Sequence, residues 1–201
     1  MRKIVDFHIH SKYSRATSKN LNIPEIAKWA KIKGLDIVSC GDFTHPKWLS
    51  ELQSQLQEDG SGLLTLPGED RVRFMLGAEV ACIYRHKDAT RRLHHLILAP
   101  SFASVKKINA ALEARGCKLA SDGRPILGMS SKDLLSIVLE ADPRNLLIPA
   151  HAWTPWFAIF GSKSGYDRVE DCFEDLAPHI YALETGLSSD PAMNWSVSGL
   201  D

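Results

Sequence analysis

Along this chain of 201 residues, short apolar runs keep ending on a histidine or a carboxylate. The run at 4–9 leads into His10, 35–40 into Asp42 and His45, Gly77-Ala78 into Glu79, 146–150 into His151, and 180–183 into Glu184. Runs this short, separated by helix-like stretches, read as strands of an α/β fold. Over residues 4–10 the side chains alternate, so Val5, Phe7 and Ile9 take one face and Asp6, His8 and His10 the other. Asn22 with Glu25 three residues on, and Pro24 in the first turn, predict a helix over 23–33 that stops at Gly34. A strand at 35–40 then completes a parallel strand–helix–strand unit. Further helices are expected over 48–57, 105–115 and 132–140, the last capped by Ser130, and one more capped by Asp167 with Glu170 at its third position. Strands are expected over 72–84, 93–98, 146–150 and 180–184, with a loop at 59–68. About six strands alternating with helices fit an α/β barrel or a doubly wound sheet. In a barrel, polar residues collected at the C-terminal ends of strands mark the active-site rim.

Composition narrows the partners only a little. Lys plus Arg and Asp plus Glu are each 24, a net charge of +0, so the total advertises no nucleic-acid surface. A local basic patch or bound cations supply what such a total hides. Hydrophobic residues make up 44% of the chain, enough for a single domain with a core. Cys40, Cys82, Cys117 and Cys172 form no Cys-x-x-Cys pair and read as reduced thiols of a cytoplasmic protein. No apolar run approaches the ~20 residues that span a bilayer, and no cleavable signal segment is visible, so no membrane partner is expected.

The candidate chemistry lies at the strand ends. His8 and His10, two apart on a strand, present two imidazoles to one metal, or else one is buried and hydrogen-bonded while the other is exposed. Asp42 and His45 follow the second strand, as ligands or as turn and cap residues. Glu79, inside an apolar strand, is costly unless paired or metal-bound; it bridges two metals or sits in a buried ion pair. His94 and His95 are adjacent, so at most one faces the site. After His151 comes an aromatic, glycine-containing loop. Trp153 and Trp156 there stack a base or sugar, with Ser162, Lys163 and Ser164 near phosphate, or the loop is a packed lid. Ser189, in the segment after Glu184, orients a phosphate or water. There is neither a serine triad nor a glycine-rich P-loop. Taken together, the imidazoles and carboxylates suit two or three divalent cations (Zn²⁺, Mn²⁺ or Mg²⁺), which activate water and stabilise both oxygens of an in-line displacement at phosphorus.

The stretches HIHSKYS at 8–14, GDFTHP at 41–46, GAEV at 77–80, HHLILAP at 94–100 and IPAH at 148–151 resemble the PHP family of metal-dependent phosphoesterases. The stretches SDGRPILGM at 121–129, PAHAWTPWFAIFGSKSG at 149–165 and ALETGLSSDPAMNW at 182–195 look like the endonuclease Q branch, whose members resemble repair nucleases that nick DNA 5′ of deaminated bases. The resemblance runs over essentially the whole chain. It implies an α/β fold, a distorted seven-stranded (β/α) PHP-type barrel. By this resemblance His8 and His10 bind a first metal, Glu79 bridges to a second, and His95 and His151 complete the second site. His8, His10 and Glu79 form the catalytic group. Asp42 and His45 are further ligand candidates, although Phe43 breaks the usual Asp-His pair and Arg15 stands near the place of a usual Asp. The chain ends at Asp201 before the family's late Asp-x-His element, so residues 1–201 are expected to form a partial PHP domain lacking the last strand and its ligands. The implied function is a repair endonuclease acting on DNA that contains uracil or hypoxanthine. A small-molecule phosphomonoesterase and an inactive DNA-binding fragment are the alternatives.

Overall fold

The computed structural model describes residues 2–87, 89–187 and 189–200. Strands β1 (Val5–Asp6) and β2 (Ile37–Ser39) pair in parallel, with Val5 opposite Ile37, and helix α1 (Ile23–Lys33) connects them. The helix starts where local chemistry requires it. The Asn22 side chain accepts the Glu25 amide at 3.0 Å, and Gly34, at φ 73°, returns its N–H to the carbonyls of Ala30 and Lys31. Ile23, Ile26, Ala27 and Ala30 form its buried face.

The spine of the molecule is β5 (Glu69–His86), 18 residues long. Its first half pairs with β2 in parallel and with β4 (Leu64–Leu66) antiparallel, and β3 (Gln57–Glu58) extends that edge. Its second half pairs antiparallel with β6 (Ala89–Ala99) and in parallel with β7 (Ile126–Leu127). Strand β8 (Leu146–Pro149) adds antiparallel to β6. The result is an α/β fold with a mixed, unclosed sheet of eight strands, a distorted and incomplete barrel. Helices α2 (Pro46–Gln55), α3 (Phe102–Ala114) and α4 (Ser131–Ala141) follow β2, β6 and β7 in the chain. Their apolar stripes bury Trp48, Leu52, Ile108, Leu112, Leu134 and Val138 in one core with Phe74, Leu76 and Val80 of β5. Ser101 and Ser130 cap α3 and α4 through their side chains.

Three sequence expectations are corrected. Residues 180–184 form no strand: a 3-10 helix over Glu174–His179, containing Pro178, precedes them. They then run beside β8 with two backbone bonds, Glu184 N to Pro149 O at 3.0 Å and Ala152 N to Glu184 O at 2.9 Å. Helix α5 (Val169–Phe173) begins after Arg168 and has no side-chain cap, so Asp167 lies one residue outside the capping position. Residues 59–68 are not wholly loop, because β4 pairs with β5 there.

One glycine brings the two strand ends that matter into contact. Gly41 has φ 66°, and a Cβ on it would lie 2.6 Å from the Ile9 carbonyl oxygen. That approach sets Asp42 beside His10. All four cysteines are free, and Cys40, Cys82 and Cys172 are buried. Among the described residues no helix is long and apolar enough to cross a membrane. Phe74 is fully buried on the spine. Phe74→Ala is expected to lower the unfolding free energy by about 3–5 kcal/mol in a urea titration; a loss under about 1 kcal/mol would contradict this packing.

Candidate metal centre

Four imidazoles converge on one buried carboxylate. Glu79 has a side-chain exposure of 1%. Its Oε2 lies 3.3 Å from His8 Nε2 and 3.2 Å from His10 Nε2. Its Oε1 lies 2.9 Å from His94 Nδ1 and 3.2 Å from His151 Nε2. His94 Nδ1 and His151 Nε2 are themselves 3.2 Å apart. Two groups able to hold an ion result, His8–His10–Glu79 and Glu79–His94–His151, sharing the carboxylate. Arg124 Nη1 donates to Glu79 Oε2 at 3.2 Å from the open side.

The donor set fits divalent metals. An ion held tetrahedrally at about 2.0–2.1 Å from each ligand spaces those ligands about 3.3 Å apart, and the observed spacings of 2.9–3.3 Å match. The outward ring nitrogens are also engaged. His8 Nδ1 donates to Glu184 Oε1 at 2.8 Å, His10 Nδ1 meets Asp42 Oδ1 at 3.0 Å, and His151 Nδ1 meets Thr154 Oγ1 at 3.1 Å. A polar partner behind these three imidazoles fixes their tautomers and raises their basicity as ligands.

Two of the positioning residues have left-handed backbones that side chains disfavour: Asp42 at φ 48° and His151 at φ 34°. Each is held in place by the other residues' hydrogen bonds. Asp42 Oδ2 accepts from the Ser11 amide, the Ser11 hydroxyl and the Ser14 hydroxyl at 2.6, 2.7 and 3.0 Å. The His151 amide donates to Glu184 Oε2 at 2.7 Å.

Electrostatics follow from this convergence. Glu184 first, then Glu79, stabilises the His8 imidazolium and raises its pKa to about 10. Asp42 and Glu79 do the same for His10, to about 9. Burial pushes the Glu79 carboxyl upward, but hydrogen bonds from His10, His151, His8 and His94 outweigh it and hold the group far below the usual carboxylate range. Burial lowers His94, only partly offset by Glu79.

The structure gathers His8, His10, Glu79 and His151, as the sequence led one to expect, but it separates the histidine pair on β6 the other way. Ala81 is opposite His94 and Glu79 opposite Leu96, so His94 shares the face of Glu79. His95 points to the other face, fully buried, with Nε2 at 2.8 Å from Ser131 Oγ, and burial drops its pKa to about 3. Asp42 stands behind His10, its Oδ1 at 3.0 Å from Nδ1, and is in neither of the two groups. His45 precedes α2 and stacks on Tyr13 at 4.3 Å, outside both groups. Trp153 is tied down, its Nε1 donating to Asn194 Oδ1 at 2.7 Å and its ring 4.7 Å from Phe160. Trp156 is 49% exposed beneath the Arg92 guanidinium. Ser162, Lys163 and Ser189 are exposed, whereas Ser164 is buried and its hydroxyl donates to the Arg92 carbonyl. Sequence reasoning gave no role to Arg124, Ser11 or Ser14, and left Glu184 as a strand-end carboxylate. The signal for Arg124 was its place in the SDGRPILGM stretch.

Two histidine pairs about one shared carboxylate, set in an incomplete α/β barrel, form a candidate metal centre with the donor set of a metal-dependent enzyme. The fold is PHP-type and closely related to that of the endonuclease Q family. The lesion-specific endonuclease PfuEndoQ of Pyrococcus furiosus superposes with TM-score 0.77 at 34% identity, over 92% of this chain and 42% of that one. A structure of endonuclease Q with a 27-mer duplex substrate bearing an abasic lesion at the active site superposes with TM-score 0.77 at 35% identity, with the same coverage. An uncharacterised protein of Methanocaldococcus jannaschii is 34% identical over 167 residues, 83% of this chain and 18% of that protein. The chain thus spans less than half the length of each of these three. No family model matches it.

Replacing His94 with Ala is expected to remove one bound ion per chain, measured by elemental analysis after dialysis. His95→Ala is expected to keep the metal content while lowering thermal stability; the reverse pattern would contradict the register. In the metal-free protein the raised pKa values of His8 and His10 contribute stability that is fully present below about pH 6.5. That contribution is lost as pH rises through about 9 to 10. Metal loading competes with the same protons, so affinity is expected to rise with pH across that window and loading to release protons, read by calorimetry in two buffers.

Proposed function

We propose that this chain is the metal-bearing part of a DNA repair endonuclease that nicks the backbone on the 5′ side of deaminated bases such as uracil and hypoxanthine. The observation that carries the reading is Glu79 shared between two histidine pairs, in a chain 34% identical to a lesion-specific endonuclease. The likeness to an endonuclease Q complex with a lesion-bearing duplex supports the choice of DNA over a free phosphomonoester. Imidazole and carboxylate donors favour Zn²⁺ or Mn²⁺ over Mg²⁺. Such ions supply an activated water and neutralise charge that develops on the phosphoryl oxygens.

The chain's own residues do the rest. Glu184 and Asp42 hold the His8 and His10 rings, so that both Nε2 atoms stay aimed at the centre. Arg124, with 42% of its side chain exposed, sits between Glu79 and solvent, where its guanidinium meets a phosphodiester oxygen. Trp156 offers an open ring to a base displaced from the duplex, stiffened by Arg92 above it. Lys163 and Ser162, exposed in the same loop, and Ser189 at the start of helix α6 (Asp190–Asn194), lie open to the backbone of a bound strand. Reduced thiols fit a cytoplasmic setting.

The test is incubation of the metal-loaded protein with an end-labelled duplex carrying one hypoxanthine or uracil. The expected product is a single nick 5′ of the lesion that disappears with a chelator. Asp42→Asn, which weakens support behind His10, is expected to reduce nicking about 10–100-fold. Metal-loaded protein that leaves this duplex intact and hydrolyses small phosphomonoesters would replace the endonuclease with a phosphatase.

A further inference from the structure

Beside the metal centre lies a cavity of about 660 Å³. His94, Arg124 and Phe157 are among its lining residues, so it adjoins the second group through His94. Three further cations line it: Arg15, Arg115 and Lys118. Asp122 is the one acidic residue in this wall, and it is already paired with Arg15 at 3.1 Å. Among the described residues, Arg115 and Lys118 make no ion pair, and both are exposed. The chain as a whole is neutral, so this local excess is a placement and not a consequence of composition.

The segment that runs on from Arg115 and Lys118 to Arg124 is fastened to the site at Gly123 and Pro125. Gly123 N donates to the Tyr13 carbonyl at 3.0 Å, and Ala81 N to the Pro125 carbonyl at 3.0 Å. A Cβ on Gly123 would fall 2.3 Å from Ser14 Oγ and 2.4 Å from Asp42 Oδ2. Strand β7 then continues in parallel with β5 from Ala81. Arg124 and Lys118 therefore flank a segment pressed against the carboxylate that orients His10. The backbone on which Asp122 and Arg124 sit is thus held in place beside the site. Phe157 and the exposed Ile126 add apolar surface for a sugar or base.

We propose that this cavity is the channel for the nucleic-acid strand flanking the cleaved bond, with Arg115 and Lys118 each holding a backbone phosphate beyond the one at the metal centre. This rests on the endonuclease reading and adds where the strand runs. Phosphate contacts from such side chains position a strand without reading its sequence.

The test measures binding of a short labelled strand of unmodified DNA to the metal-loaded protein over a salt series. Arg115→Ala and Lys118→Ala are each expected to weaken binding several-fold and to flatten the slope of log affinity against log salt by roughly 0.7. Both variants should keep the wild-type metal content. Lys28→Ala, whose side chain pairs with Glu25 on its own helix, should leave the slope unchanged. Wild-type slopes in both cavity variants, with the strand still bound, would overturn the channel and leave the endonuclease reading standing. Failure of the wild type to bind the strand would overturn both. Displacement of the strand by an equal nucleotide concentration of a free nucleoside monophosphate would also overturn it, assigning the cavity to a small phosphate ester.

Discussion

A carboxylate with 1% exposure, set in the middle of an apolar strand, is the constraint around which this molecule is arranged. Left alone, an ionised Glu79 would cost several kcal/mol of desolvation. Four imidazoles and one guanidinium answer it, and they come from four separate parts of the chain: the segment after β1, β6, the turn after β8, and the loop before β7 converge on β5. Each of those connections has to be the right length and enter from the right side. That requirement explains why the sheet is mixed: parallel neighbours bring strand ends to the rim, and the antiparallel β6 brings a histidine from mid-strand.

Holding so many donors at ligand spacing takes a second layer of support. Ser11, Ser14, Asp42, Thr154 and Glu184 perform it, and none of them needs to touch an ion. The left-handed backbones of Asp42 and His151 cost roughly 1–3 kcal/mol each when a side chain adopts them. They persist because several hydrogen bonds fix each residue at once, which leaves the rings little freedom to wander before metal or substrate arrives.

Much of this was legible in the sequence because it depends on local rules. The extent of α1 followed from Asn22, Pro24 and Gly34, and the two-residue spacing of His8 and His10 placed both rings on one side. What was not legible depends on partners distant in the chain. Which of His94 and His95 shares the face of Glu79 follows from which residue of β5 lies opposite, a pairing no periodicity on β6 encodes. Asp42 has the chemistry of a ligand, and only the approach of Ser11 and Ser14 makes it a support for His10. The run at 180–184 has strand composition, but a sheet needs a partner along its length, and only two backbone bonds form. Trp153 and Trp156 look alike in sequence; Asn194, far along the chain, anchors one and leaves the other open.

The pairing of β5 with β6 has a further consequence. Residues 76–82 and 93–99 are buried without interruption, so both faces of this hairpin are covered. In a half-exposed sheet a slip by one position is penalised because it turns apolar side chains to water. Here a slip would merely exchange one buried apolar set for another, and it would carry His95 into the place of His94. Solvent is therefore a poor proofreader of alignment in this hairpin. The attraction between Glu79 and His94, and the lack of room for any side chain at Gly77 against Ser39, discriminate between the two alignments instead. The polar groups of the candidate metal centre would then also act as the index marks by which the two longest strands find their correct partners.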